Sequence, residues 1–526
     1  MSKQFCVDAP SRECLTSLLI KVSWNTTLNT PSNGRPTDII MDLQIKEHFL
    51  SSPDPGSLVK CLPWNSTTPV RAFECINRTP YAFLLESVKG TPMTARYSFV
   101  GANPFLVLRS KGTQVEINQQ GVCQAVREAP FKVLRKLFHE FFVPKPEGLP
   151  PFFGGAVGFF SYDLVRQFEP LPRLAVDDLK YPDLFLMFVD TLIAFDHQQK
   201  LIRLIYTPPR SRVLTTDRRT LFEEGLSKIA HMEERLAAPP QTPARELRSI
   251  PRPQPESNFT KSQYMKMVQR CKEYIAAGDI YQANLSQRFS VQFRQDPWSL
   301  YQALRKINPS PFAGFLQMEN LYWVSASPER LLRLNDGLLE TRPIAGTRPR
   351  GKNPSEDEGL TIELLTSEKE RAEHLMLVDL ERNDLGKVSR YGSIRVDEFM
   401  IVEQYSHVMH IVSNIRGELL PGKDCLDAVQ AVFPGGTITG VPKIRCMQII
   451  EELEPVVRGS YTGSFGYISF AGEMDLNLII RTFAIQDGHA HIQVGGGIVA
   501  DSDPEREYQE TLYKAEALLK ALDRLR

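Results

Sequence analysis

"EKERAEHLMLVDLERNDLG" (368–386) is the stretch on which the reading of this chain turns. Glu370 and Glu373 stand three residues apart, so on a helix they share one face. A second acidic helix follows in "DSDPEREYQETLYKAEALLKAL" (501–522). There Asp503 can cap, Pro504 fits the first turn, and Glu507 and Glu510 are again three apart. Lys514 lies one turn beyond Glu510. If the two pairs meet across a cleft they offer carboxylate oxygens to a hard cation. Mg²⁺ suits such a set, because it binds through one or two carboxylates, water and an anionic ligand. Spacing alone describes two solvated helix faces equally well. Around these helices "LYWVSAS" (321–327), "GSFGYISFAG" (463–472) and "HIQVGGGIV" (491–499) alternate as strands, which makes the chain α+β.

Working outward, composition narrows the classes. At 526 residues the chain exceeds one simple core. Lys+Arg and Asp+Glu are both 62, so charge points to no nucleic acid and no anionic membrane as partner. The longest apolar run, "LFLMFVDTLIAF" (184–195), is too short for a bilayer and is broken by Asp190. Eight scattered cysteines without a CxxC pair read as a reduced, intracellular protein lacking a zinc site. Residues 1–60 read as an N-terminal extension without packed structure. The acid-poor, Ser/Thr-rich first 40 of them have the character of a disordered extension or of a plastid transit peptide. The expected location is the cytoplasm, or a plastid in the second case. Residues 61–236 alternate short apolar runs with turns, and 237–259 form a proline-rich linker. From Thr260, which can make a capping box with Gln263, a 260–526 region begins. "AAGDIYQANLSQRFSVQF" (276–293) reads within it as a turn and a strand.

Three glycine-rich turns, "FPGGTITGVPK" (433–443), "GSFGYISF" (463–470) and "VGGGIVADS" (494–502), let backbone N–H groups approach an anion. None is a P-loop or dinucleotide fingerprint, and each also reads as a plain β-turn. His410, in "SHVMHIVSNI", reads by default as a packed core histidine. Taken in order with "PIAGTRPRG" (343–351) and "EYQETLYKA" (507–515), however, these segments resemble the large subunit of the chorismate-utilising enzymes. That family includes anthranilate synthase component I and aminodeoxychorismate synthase component I. The resemblance covers about residues 65–526 and implies a two-lobed β-sheet sandwich-like core flanked by helices.

The resemblance implies roles. Glu370, Glu373, Glu507 and Glu510 would hold Mg²⁺ against the ring carboxylate of chorismate. Tyr467 and Arg481 would bind the enolpyruvyl side, Gly495, Gly496 and Gly497 would donate backbone N–H groups, and Lys514 and Thr437 would contact substrate. His410 would protonate the departing 4-hydroxyl, with Thr347 and Glu329 in the same pocket. Ser87, in "FLLESV" (83–88), matches a tryptophan-binding element. Isochorismate synthases carry a lysine where this chain has Gln282, which disfavours water as nucleophile. "YQANLSQRF" with Asn284, "FPGG", "GSFGY" and "VGGGIVADS" resemble the aminodeoxychorismate form, whereas "PIAGTRPRG" and "YSHVMHIVS" resemble anthranilate synthase. Ala345 stands where many aminodeoxychorismate synthases carry a nucleophilic lysine. The expectation is amination of chorismate to 4-amino-4-deoxychorismate, with anthranilate plus pyruvate as the alternative. The chain contains no Gly-x-Cys-x-Gly nucleophile, so ammonia is expected from a glutamine amidotransferase small subunit.

Overall fold

Strand alternation builds two cores from one set of strands. In Tyr81–Glu86, Phe83 enters one core while Ala82 and Leu84 enter another, and in Thr191–Asp196 the sets Leu192/Ala194 and Ile193/Phe195 divide the same way. These are sheets buried on both faces. The computed structural model describes residues 21–22 and 46–525, apart from 65–66, 78, 89–94, 240–253 and 405–407.

Two large, almost wholly antiparallel sheets face each other. Among the described residues the first has 13 strands and the second 12; at the centre of the first Tyr81–Glu86 pairs with Phe312–Met318, and at the centre of the second Gly155–Phe160 pairs with Ser464–Ser469. The sequence regions on either side of the proline-rich linker are therefore not separate bodies, because each completes the hydrogen-bond ladders of the other. The linker itself lies mostly outside the described residues. The apolar run at 184–195 forms two strands, Leu184–Val189 and Thr191–Asp196, one in each sheet. The chain changes sheet at buried Asp190, whose carboxylate accepts from Lys228 at 2.6 Å.

The expected extension at 1–60 is too long by at least 15 residues. Phe49 is fully buried, with its ring 5.5 Å from that of Phe222, and Leu58–Pro63 is a strand of the first sheet. Its few apolar positions are spaced too irregularly to announce a core. Residues 1–20 and 23–45 lie outside the described residues.

The core between the sheets is aromatic. Trp323 stacks on Phe159 of the opposite sheet at 4.3 Å, and both are fully buried. Helices Pro69–Ile76, Arg218–Ala237, Pro297–Ile307 and Pro504–Asp523 cover the outer face of the first sheet. The expected caps form, since Thr260 and Gln263 make a capping box and Asp503 accepts from the Arg506 N–H. Among the described residues no helix is long and apolar enough to cross a membrane.

Trp323 bridges the sheets, so its truncation should leave a cavity that neither sheet can close. Trp323→Ala is expected to cost about 3–5 kcal/mol in urea unfolding. A cost below about 1 kcal/mol would show that the sheets do not depend on this contact.

Candidate active site

The two acidic helices bring their first turns to one place. Ser367 caps Glu368–Gly386, and its hydroxyl accepts from the Glu370 N–H. Glu370 and Glu373 thus sit near a helix N-terminus, where negative charge is favoured. Glu507 and Glu510 occupy the same end of Pro504–Asp523. Burial raises the Glu373 carboxyl, Lys369 opposes the rise, and Glu370, Glu507 and Glu510 add to it. Burial likewise raises Glu507, opposed by Ser502 and reinforced by Glu510. The pairs from distant parts of the chain therefore share one electrostatic site, which spacing alone left open.

Each carboxylate already has one partner. Arg348 donates to Glu370 at 3.1 Å, Ser502 to Glu507 at 2.7 Å, and Lys514 pairs with Glu510 at 2.8 Å. Lys369 lies 3.8 Å from Glu373. Among the described residues no three His, Cys, Asp or Glu side chains come together closely enough to hold a metal ion by themselves. What they offer is an open set of carboxylates on two helices. That fits Mg²⁺, which completes its shell with water and an anionic substrate.

Beside the acidic helices the strand His489–Ile498 pairs with Gln282–Gln292, setting Gly495 opposite Ser286, Gly496 opposite Leu285 and Gly497 opposite Asn284. A Cβ on Gly496 would lie 3.2 Å from Glu507 Oε2. One on Gly495 would lie 2.8 Å from Asn284 Oδ1 and 2.9 Å from the Tyr461 hydroxyl. These glycines keep the backbone bare between the acidic helix and the polar groups behind it. Lys514 Nζ donates to the Gly495 carbonyl at 2.9 Å, which ties the last helix to this strand.

A second cluster gathers buried titratable side chains on the sheet side. His410 is buried on Val408–Glu418, and its Nδ1 lies 2.9 Å from the Thr347 hydroxyl and 3.3 Å from the Gly346 carbonyl. Burial, reinforced by Arg481, pushes the imidazole down to about 4, so it is neutral near pH 7. Glu329 shows the opposite behaviour. Burial pushes its carboxyl up to about 8, against the Thr437 hydroxyl, the Ile344 N–H and Arg481, with Glu381 adding to the rise. The unliganded site therefore holds its proton on Glu329, whereas the sequence had cast His410 as the acid. Arg481 acts on both groups and adopts a left-handed φ of 50°. A non-glycine residue held there is strained by about 1 kcal/mol or more, as is common at functional sites.

Tyr467 does not stand with these residues. Its ring stacks on Phe152 at 4.7 Å and meets Phe99 edge-on at 5.4 Å. Together with Ser87, Arg330, Arg333 and Phe312 it lines a separate cavity of about 440 Å³ between the sheets. The tyrosine beside the glycine strand is Tyr461, six residues earlier in "YTGSFGY". The sequence offers two tyrosines in one short run and nothing to choose between them.

Because the folded-state pKa of His410 lies below the ordinary value of about 6.5, the unfolded chain takes up that proton more readily. The corresponding stability is full above about pH 6.5 and declines as pH falls toward 4. His410→Gln lacks this titration. The gap in urea-unfolding free energy between wild type and variant should narrow by about 2 kcal/mol between pH 6.5 and pH 5. A gap independent of pH would show that His410 is not held neutral.

Residues 81–520 match the family model described as chorismate binding enzyme. Anthranilate synthase component 1 of Thermus thermophilus is 46% identical over 460 residues, covering 87% of this chain and 95% of the relative. Aminodeoxychorismate synthase component 1 of Bacillus subtilis is 42% identical over 465 residues, covering 88% and 96%. The crystal structure of anthranilate synthase component I from Streptococcus pneumoniae superposes with a TM-score of 0.72 at 33% identity, covering 82% of this chain and 93% of that one. The family model spans most of the chain and both relatives are matched over nearly their whole length, so the chain belongs to the chorismate-binding enzyme family.

Proposed function

We propose that this chain aminates chorismate, using ammonia delivered by a separate glutamine amidotransferase subunit, and releases 4-amino-4-deoxychorismate for the p-aminobenzoate and folate branch. The alternative product is anthranilate with pyruvate. Relatives bearing either name match at similar identity, so similarity alone does not choose between them. The wording of "YQANLSQRF" around Asn284, with "FPGG" and "GSFGY", supports the first product, and Asn284 also offers a contact for the amine. Its Oδ1 is buried without a hydrogen-bond partner and faces Gly495 beside the Tyr461 hydroxyl. A buried carbonyl oxygen in that state accepts an N–H donor, and incoming ammonia is one.

Ala345 supplies no nucleophile on the strand Ile344–Pro349, so the ammonia lone pair itself forms the new C–N bond. Glu329, which keeps its proton at neutral pH, donates it to the 4-hydroxyl as that group departs as water. The ammonium first formed on the ring then returns a proton to Glu329, and the site is restored. Neutral His410 and the Thr347 hydroxyl orient the leaving group, and Arg481 receives the carboxylate of the enolpyruvyl side chain. Mg²⁺ bound among Glu370, Glu373, Glu507 and Glu510 would supply positive charge against the ring carboxylate.

The expectation of a partner rests on the sequence, which carries no Gly-x-Cys-x-Gly nucleophile. Burial pushes the Cys271, Cys425 and Cys446 thiols up to about 12, far from the thiolate that glutamine hydrolysis needs. A component 1 relative is by name one part of an assembly, and a second component would feed ammonia to this site.

With chorismate, Mg²⁺ and ammonium, the expected product is 4-amino-4-deoxychorismate, converted to p-aminobenzoate only after a lyase is added. Fluorescent anthranilate and pyruvate forming without a lyase would establish the alternative. Glu373→Gln or Glu510→Gln should lower Mg²⁺-dependent turnover by about a hundredfold, and near-native turnover in either would remove the acidic site from the mechanism. Ionised Glu329 would repel the anionic substrate, so kcat/KM should fall on the alkaline side near pH 8. That limb should vanish in Glu329→Gln.

A further inference from the structure

The strand that carries Thr347 has a hydrogen-bond ladder on one side only. Among the described residues Ile344–Pro349 is the edge of the second sheet and pairs with Val408–Glu418 alone. The pairing slips at Gly346. Ala345 lies opposite Ile411 and Thr347 opposite His410, so Gly346 is an extra, bulged residue with a left-handed φ of 65°. That bulge touches both halves of the site. A Cβ on Gly346 would stand 2.9 Å from Glu370 Oε2 and 3.0 Å from Leu364 Cδ1, while the Gly346 carbonyl lies 3.3 Å from His410 Nδ1. A bulged edge strand is a pliable support for a hydroxyl that stands 2.9 Å from an imidazole. Arg348 supplies the missing side. Its Nε donates to Glu363 on Pro354–Thr366 at 2.9 Å. One terminal nitrogen donates both to Glu370 on Glu368–Gly386 at 3.1 Å and to the Thr347 carbonyl at 3.0 Å. A single guanidinium thus ties the open edge to two helices.

We propose that Arg348 is a positioning residue: it clamps the Gly346 bulge between Glu370 and His410, and so holds the Thr347–His410 pair in place against the acidic helix. The proposal rests on the reading that the acidic helices bind Mg²⁺ and that His410 and Thr347 orient the leaving group. Arginine suits the task, because its planar fork reaches three acceptors in fixed directions where lysine offers one movable charge. The clamp leaves a mark at the cation site that an ordinary stabilising ion pair would not. A guanidinium 3.1 Å from Glu370 opposes a second cation nearby. Removing it therefore favours Mg²⁺ while it loosens the strand. If Arg348 merely stabilised the start of the acidic helix, its removal would weaken Mg²⁺ binding instead.

The test applies three measurements to the full chain and to Arg348→Met and Arg348→Lys. They are Mg²⁺ calorimetry on metal-free protein, the imidazole carbon resonances of histidine-labelled metal-free protein, and turnover of chorismate. The His410 signal is the one missing from His410→Gln. In Arg348→Met, Mg²⁺ should bind as tightly as in wild type or up to about fivefold more tightly. The His410 resonance should move, and kcat should fall about tenfold or more. Arg348→Lys keeps the charge but holds fewer acceptors, so it should show both effects in smaller measure, and it carries the test if the Met form does not fold. An unmoved His410 resonance, a kcat within about twofold of wild type, or Mg²⁺ binding weakened enough to account for the lost activity would each overturn the proposal. Failure of the cation reading is distinguishable. Glu373→Gln would then bind Mg²⁺ as wild type does, while the His410 resonance still reports on the clamp without metal.

Discussion

The buried ion pair between Arg458 and Glu454 is the constraint on which the site depends. Their side chains are 1% and 3% exposed. Arg458 donates to both carboxylate oxygens at 3.0 and 2.8 Å, to the Ile438 carbonyl at 2.9 Å and to the Asn284 carbonyl at 2.5 Å. Glu454 accepts from the Ser286 N–H and hydroxyl, both at 2.8 Å. The guanidinium also lies over the rings of Tyr162 and Tyr461. One cation thereby registers the Thr437 turn, the Asn284 strand and Tyr461 against each other. A buried pair left partly unsatisfied costs several kcal/mol, and full satisfaction by backbone groups is what makes this one tenable.

Around that anchor the electrostatics divide the site in two. On the helix side, burial and the neighbouring carboxylates raise Glu373 and Glu507. On the sheet side, burial keeps His410 neutral and Glu329 protonated, so the same low dielectric moves a base and an acid in opposite directions along the pH scale. An anionic substrate lying between them would meet positive charge at one end and a proton donor at the other. The scaffold alone does not select a product, because relatives with different names share it.

The sequence was a good guide wherever function follows from local geometry. The i,i+3 spacing of Glu370/Glu373 and of Glu507/Glu510 fixes which helix face is acidic, and the capping residues at Thr260 and Asp503 fix where helices begin. Alternation in "LYWVSAS" and its neighbours was enough to name the strands. It failed where packing decides. Phe49 is core although nothing around it is periodic, and Tyr467 and Tyr461 exchange places between the expected site and a distant cavity. Arg458 gave no signal, since a buried charge looks like a surface charge until its partners are known.

What the sequence by itself determined is therefore the inventory of chemistry: paired carboxylates, glycine turns, a histidine, and no nucleophile at position 345. Those features depend on residue type and near spacing, which are written along the chain. Tertiary structure decided which of them meet, which tyrosine stands beside the glycine strand and which carboxyl keeps its proton. These depend on burial and on hydrogen bonds between residues more than a hundred positions apart, such as Arg458 to Asn284, and low dielectric arises only when both sheets have closed over the site.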